Sequence, residues 1–367
     1  VHFLFFTGGW TQGGMETALL CLMQGLLGRG HRVTAIVSGW NDGAMPRLLG
    51  QSGIPHHEVR LGRLYVSNPV FTWHTLVNMP TARRQLRAIG ARVRPDWVVS
   101  PDVQTLLLSA SLLRTRRALF LQSPPERLMR HPWSAWLLDR RLDRVLCCSR
   151  FIADWARRTP VGPAKVAIVP NGVPLPAKRT FAGHEPPRIG IVGRLVEQKQ
   201  HMVLLEACAL LRRRGVAFGL DIVGTREGPF ADAVAIRTAA LGLVDVVRWT
   251  GFVADRDRVY GNLDILAAPA VDEPFGLTVP EAGAYGLPVV AARSGAFPEL
   301  VDDGRTGLLF SPGDAADLCR ALATLLADRG LRQRLGQAAR AHVAAHFTVA
   351  AMTDRFLEAC AATTTWR

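Results

Sequence analysis

The 367-residue chain has no apolar run approaching the ~18–20 residues that cross a bilayer as a helix, which excludes a helical membrane span. Nor does it carry cysteines at metal-binding spacing. Cys21, Cys147, Cys148, Cys208, Cys319 and Cys360 fall mostly in apolar segments, as reduced, buried thiols of a cytoplasmic protein would. Residues 1–6 form a short apolar strand without a basic leader or cleavage site, so no secretion signal is visible. Charge is also scarce. Only 20% of residues are charged against 49% hydrophobic, the balance of a well-cored globular protein and not of a disordered one. At ~100–200 residues per domain, the length suits two domains.

Acidic residues are few in one half only. The net charge is +14, yet residues 1–170 carry 22 Lys+Arg against 9 Asp+Glu, while residues 171–367 carry 22 against 21. The excess gathers in clusters such as Arg83-Arg84-x-x-Arg87, Arg114-x-Arg116-Arg117, Arg140-Arg141 and Arg157-Arg158. Such asymmetry suits an acidic partner: an anionic membrane surface, a phosphorylated acceptor or nucleic acid. Solvated helix faces in an arginine-rich protein fit it equally well. No nucleic-acid motif is present and aromatics seldom interleave with the cations, which puts nucleic acid well behind a membrane surface.

The first half alternates strand and helix. Val1–Phe6 reads as a buried strand, Thr7–Gly14 as a Gly-rich loop and Glu16 as the opening of a helix, the start of a doubly wound α/β domain. The glycines do not match G-x-G-x-x-G, so a dinucleotide site is not indicated. Strands are expected at residues 33–37, 57–61, 96–100 and 118–122. Residues 71–91 form a basic amphipathic segment that Pro80 should break or kink. Its apolar side (Val70, Trp73, Leu76, Val77, Leu86, Ile89) is expected to pack on the sheet, with membrane or acceptor contact as the alternative. Residues 174–187, rich in Pro, Ala and Lys, read as a linker. The domains are therefore placed at 1–173 and 174–367.

The second half holds the densest chemistry. A strand runs into Gly193, and Arg194 and Lys199 follow at an interval that lets both point beyond the strand ends. Arg offers a planar fork to phosphate oxygens and Lys a point charge. Further on, the apolar run Ile265–Pro269 leads into Glu273-Pro274-Phe275-Gly276-Leu277-Thr278-Val279-Pro280-Glu281. The strand should end near Pro269, Glu273 should sit on a loop, and a helix should begin near Thr278. Unpaired N–H groups at such a start favour anionic or hydroxyl-rich ligands, and the two carboxylates accept bonds from hydroxyls. Taken singly, either glutamate reads as an acidic loop residue or a cap.

This E-x7-E pattern around an F-G-L turn, with G-R-L-x3-K before it and P-N-G-V at 170–173, resembles the family-four retaining glycosyltransferases (group 1 type) of the GT-B fold. The resemblance spans nearly the whole chain. It implies two Rossmann-like doubly wound domains facing across a cleft, the first binding the acceptor and the second a nucleotide-diphosphate sugar. A last helix, about 349–361, would cross back to the first domain. It further implies that Arg194 and Lys199 stabilise the leaving diphosphate and that Glu273 holds the donor sugar, aided by backbone N–H groups near Phe275, Gly276 and Leu277. Glu281 would bind the ribose, the backbone near Phe252 and Val253 would read the base, and Gly193, Gly13 and Gly14 would approach the donor. Gln122 stands where members commonly have a His. It can donate a hydrogen bond but carries no proton in catalysis; His131 is a substitute. Gln200 replaces a common Gly.

The function implied is sugar transfer with retention from a UDP- or GDP-sugar to an acceptor hydroxyl, in cell-envelope glycan or glycolipid synthesis. The acceptor would be a glycan, lipid-linked or phosphorylated. No metal or other cofactor is expected, because two cations neutralise the diphosphate. Asp255-x-Asp257 reads as a helix-capping pair and not as metal carboxylates. Rival readings are a sugar-nucleotide hydrolase or epimerase, and a non-catalytic sugar-nucleotide-binding protein.

Overall fold

The computed structural model describes residues 1–7, 13–60, 69–109, 115–124, 129, 131–177 and 183–362. The Gly8–Gln12 part of the Gly-rich loop, Arg114 and part of the linker (178–182) lie outside the described residues. The chain divides into two compact units, Val1–Gly172 with Val349–Arg367, and Val173–Thr348.

The first unit is built on seven strands: β1 (His2–Thr7), β2 (Arg32–Ser38), β3 (His56–Val59), β4 (Trp97–Ser100), β5 (Arg116–Leu121), β6 (Arg144–Cys147) and β7 (Val166–Ile168). Every pairing is parallel, in the order β3-β2-β1-β4-β5-β6-β7. Parallel strands are covered on both faces, which is why β1 reads HFLFFT with all six residues buried. The helices include α1 (Gly14–Gly28), α2 (Ala44–Gln51), α3 (Pro69–Val93), α4 (Val103–Ser109), α5 (Pro132–Asp139) and α6 (Arg150–Arg157). Ser149 caps α6 by accepting from the Ile152 N–H at 3.1 Å.

The break expected at Pro80 does not occur, and α3 is one continuous helix. Pro80 is exposed, so water can take the carbonyl left without its usual N–H partner. Only the later apolar residues pack on the sheet: Ala82 and Leu86 join Leu4, Phe6, Ile36, Val59 and Val98, with Ile89 and Val93 against them. Val70, Trp73, Leu76 and Val77 are exposed instead.

The second unit has six parallel strands: β8 (Arg188–Val192), β9 (Gly219–Val223), β10 (Val247–Gly251), β11 (Ile265–Ala268), β12 (Val289–Ala292) and β13 (Gly307–Phe310). Their order is β10-β9-β8-β11-β12-β13, so the winding reverses between β8 and β11. Helices α7 (His201–Arg213), α8 (Pro229–Ala240), α9 (Arg256–Tyr260), α10 (Thr278–Ala284) and α11 (Phe297–Leu300) connect them, and α12 (Ala315–Ala327) and α13 (Arg329–His346) follow β13. Asp221, buried within β9, is neutralised by Arg188 and Arg248, whose Nε atoms approach at 3.2 and 3.0 Å.

The last helix, α14 (Val349–Ala361), belongs to the first unit. Phe356 packs against Phe3 and Phe5, with ring centroids 5.4 and 6.2 Å apart, and Arg144 Nε donates to the Ala359 carbonyl at 2.7 Å. All six cysteines are free and buried. Burial pushes the thiols of Cys147 and Cys360 up to about 12, so both stay protonated and inert.

Candidate active site

In an open doubly wound sheet, ligands bind outside the strand carboxyl ends where the winding reverses. In the second unit that point lies between β8 and β11. β8 leads into Gly193, Arg194 and Lys199; β11 leads into Glu273. Lys199 and the acidic loop thus come together because of strand order, although 74 residues separate Lys199 from Glu273. The Lys199 ammonium donates to Glu273 Oε2 at 2.7 Å, with both side chains mostly buried. Arg194 is exposed and makes no ion pair among the described residues.

The two loops are docked and strained. Val271 N–H donates to the Gln198 carbonyl at 3.1 Å, and the Gln198 amide to the Asp272 carbonyl at 3.3 Å. Gln200 and Asp272 both have positive φ, 55° and 50°. Side chains avoid that region, at a cost of roughly 1–2 kcal/mol per residue. Glycine would take the left-handed backbone at Gln200 without that cost. Gly276 and Gly295 hold Glu273 from either side. With φ of 81° and 58°, each takes a backbone that disfavours a Cβ. A Cβ on Gly276 would also strike the Phe297 ring, and one on Gly295 would meet the Glu273 backbone. Ala296 N–H donates to the Glu273 carbonyl at 2.9 Å. The segment beginning at Gly295-Ala296 is visible in the sequence as part of the family resemblance, but its role as a brace for Glu273 is not.

Phe275 is buried against Phe347, with ring centroids 6.1 Å apart, so its side chain anchors the loop. Its backbone is another matter. Among the described residues, the N–H groups of Phe275, Gly276 and Leu277 donate no hydrogen bond within the chain, leaving three consecutive donors beside Glu273.

Glu281 lies in the first turn of α10. Arg256 Nε donates to its Oε1 at 2.7 Å and the Tyr260 hydroxyl to its Oε2 at 2.6 Å. Burial, with the adjacent carboxylate, raises the Tyr260 pKa well above the usual phenol range, so it remains a donor. Sequence reasoning missed Arg256 and Tyr260 because α9 is short and its tyrosine reads as core. Asp255 caps α9 by accepting from the Asp257 N–H at 2.9 Å, while Asp257 accepts from the Tyr285 hydroxyl. The D-x-D letters are thus divided between a cap and a tyrosine. No cluster of metal-ligating side chains occurs among the described residues.

The neighbouring strand ends are laced to the loop that follows β8. Gly193 N–H donates to the Val223 carbonyl and Gly224 N–H to the Gly251 carbonyl, each at 2.9 Å. Phe252, next after β10, is largely exposed, and Val253 is half-buried. Behind Lys199, His201 is buried, and neither ring nitrogen has a hydrogen-bond partner. Burial, then the Lys199 charge, lowers its pKa to about 4, so it is neutral at pH 7.

In the first unit, Gly13 precedes α1, and its N–H donates to the Glu16 carboxylate at 3.1 Å; Gly14 opens the helix. Glu16 is therefore engaged in helix capping. Gln122 follows β5 and pairs reciprocally with Asn171 of the P-N-G-V segment, at 3.0 and 2.7 Å. Exposed His131 precedes α5, and its carbonyl accepts from the Ser134 hydroxyl.

Comparisons with known proteins agree with this architecture. Residues 177–342 match the family model of glycosyl transferases group 1, and residues 12–176 that of glycosyltransferase family 4. The chain is 30% identical to a lipopolysaccharide core biosynthesis mannosyltransferase, LpcC, of Rhizobium leguminosarum bv. viciae, over 77% of this chain and 80% of that protein. A D-inositol 3-phosphate glycosyltransferase of Corynebacterium efficiens is 39% identical over 47% of this chain and 40% of its own length. Among solved structures, Anabaena HepE in complex with UDP and glucose superposes with a TM-score of 0.81 at 20% identity, covering 98% and 99% of the two chains. With both units matched and the sheet order of two doubly wound domains, the chain belongs to the family-four, group 1 glycosyltransferases of the GT-B fold.

Proposed function

We propose that this glycosyltransferase moves a sugar from a UDP- or GDP-sugar to an acceptor hydroxyl with retention, without a divalent metal, in cell-envelope glycan or glycolipid synthesis. The observation that carries the reading is the juxtaposition of Lys199, Glu273 and three undonated N–H groups at the reversal of the second sheet. The likeness to the Rhizobium lipopolysaccharide core mannosyltransferase and to the UDP-bound Anabaena protein supports a nucleotide-sugar donor and an envelope acceptor.

In this mechanism the anomeric carbon–oxygen bond to the diphosphate breaks as the bond to the acceptor oxygen forms. Negative charge grows on the leaving diphosphate, where Arg194 and Lys199 stabilise it, Lys199 exchanging its contact with Glu273 for phosphate oxygen. Glu273 turns to the donor-sugar hydroxyls, and Glu281, fixed by Arg256 and Tyr260, accepts from the ribose hydroxyls. Gln122 cannot take the acceptor's proton. That proton passes to an oxygen of the departing diphosphate.

The test is donor binding followed by turnover. A ligand that binds only the folded state raises the melting midpoint by mass action, so one nucleoside diphosphate and its sugar conjugate should shift it selectively. Lys199→Ala should lower kcat by about 100-fold or more, and Glu281→Gln should raise the donor KM by about tenfold or more. No shift with any nucleotide, or wild-type kinetics in both variants, would refute the assignment.

A further inference from the structure

The outer face of α3 exposes a run of apolar side chains. Val70, Trp73, Leu76 and Val77 are 67%, 66%, 50% and 57% exposed, on two turns of one helix. Single exposed apolar residues are ordinary, but four adjoining ones mark a surface that something covers. At 3.6 residues per turn, these four and Arg83, Arg84 and Arg87 fall within one sector of about 140°, with buried Ala82 and Leu86 on the opposite side. One face of the helix therefore packs on the core, and the other is apolar for its first turns and cationic afterwards. Pro80 marks the change. The 25-residue helix has four arginines and no carboxylate, and Arg83, Arg84 and Arg87 make no ion pair among the described residues.

We propose that this face docks on an anionic lipid bilayer, the apolar turns entering the headgroup boundary and the arginines meeting lipid phosphates. Charge complementarity selects this occupant: a protein groove would match the apolar half alone, and a soluble polyanion the cationic half alone. The basic excess of residues 1–170 adds long-range attraction of the same sign. A helix lying in the interface plane needs this pairing of an apolar stripe with cations, and none of the length or hydropathy of a span. The inference is independent of the donor assignment, since α3 belongs to the first unit and Lys199 and Glu273 to the second.

The experiment is flotation of the full chain with vesicles of phosphatidylglycerol and phosphatidylcholine, against phosphatidylcholine alone. Three variants are compared: Arg83→Gln/Arg84→Gln/Arg87→Gln; Trp73→Ala/Val77→Ala; and a charge-matched control in the second unit, Arg212→Gln/Arg213→Gln/Arg214→Gln. All replaced side chains are exposed, and unchanged melting curves and nucleotide-induced shifts report that each variant is folded. Wild type should bind the anionic vesicles only, more weakly as salt is raised. The α3 arginine variant should bind about 100-fold more weakly, the Trp73 variant about tenfold or more, and the control nearly as wild type. Absence of wild-type binding, binding retained by either α3 variant, or an equal loss in the control would overturn the proposal. Loss confined to the arginine variant would point to a soluble polyanion instead.

Discussion

His201 should make the second unit acid-sensitive, and the size of the effect can be worked out. The ring is 1% exposed, with no hydrogen-bond partner for either nitrogen, directly behind the Lys199–Gln200 turn. Its pKa is about 4 when folded, against 6.5 in an unfolded chain. Above pH 6.5 both states are neutral and the residue contributes nothing to the pH dependence. Between 6.5 and 4 the unfolded chain binds the proton and the folded one does not, so stability falls as pH falls. Each pH unit in that interval takes away about 1.4 kcal/mol, and the loss reaches about 3 kcal/mol near pH 4. Other histidines with lowered pKa add to the wild-type profile, so the quantity to measure is the difference from His201→Leu. Urea unfolding of both proteins from pH 7 to pH 4.5, followed by a probe in the second unit, should show wild type losing stability relative to the variant throughout. Leucine leaves no ring nitrogen unsatisfied, so the variant should be at least as stable at pH 7. A difference that stays flat across this range would mean that the ring reaches a partner or water, and would overturn this account of His201.

Two further outcomes follow from the geometry around the carboxylates. Tyr260→Phe removes one of the two side-chain donors that fix Glu281; it should raise the donor KM by about tenfold with kcat nearly unchanged, and a fall in kcat alone would assign Tyr260 another role. Gln200→Gly relieves a left-handed backbone and gives up the side-chain bond to the Glu197 carbonyl, so the urea midpoint should rise by the equivalent of about 0.5–1 kcal/mol at constant m; a lower midpoint would show that the side-chain bond outweighs the strain.

The fold is legible in the sequence where period and punctuation agree. β1 can be read because a parallel strand buried on both faces is continuously apolar, and α6 because Ser149 stands ahead of an amphipathic run. α3 departs from its pattern in running through Pro80 unbroken and in its exposed outer face. Period alone cannot tell an apolar stripe that meets a sheet from one that meets solvent, and a proline in an exposed turn can be carried within a helix where water takes the freed carbonyl. The Asp221 charge buried in β9 is equally illegible, since its two arginines come from other strands.

Lys199, Glu273 and Glu281 lie in short motifs whose spacing survives in one dimension. What fixes those groups lies elsewhere: Arg256 and Tyr260 on a five-residue helix, and Gly295 and Ala296 after β12. Each is brought in by strand order, a property of the whole sheet. Among the described residues of the second unit, the two non-glycine residues with left-handed backbone, Gln200 and Asp272, both lie on the docked loops that carry Lys199 and Glu273. Backbone strain persists only where surrounding contacts over-determine it. Here those contacts are the Gln198 bonds between the loops and the glycine brace behind Glu273. The Lys199–Glu273 pair is thus held in place before any donor arrives. On the mechanism proposed above, a diphosphate would displace one carboxylate from an ammonium already positioned, so a site built from two short loops would not have to reorganise during bond cleavage.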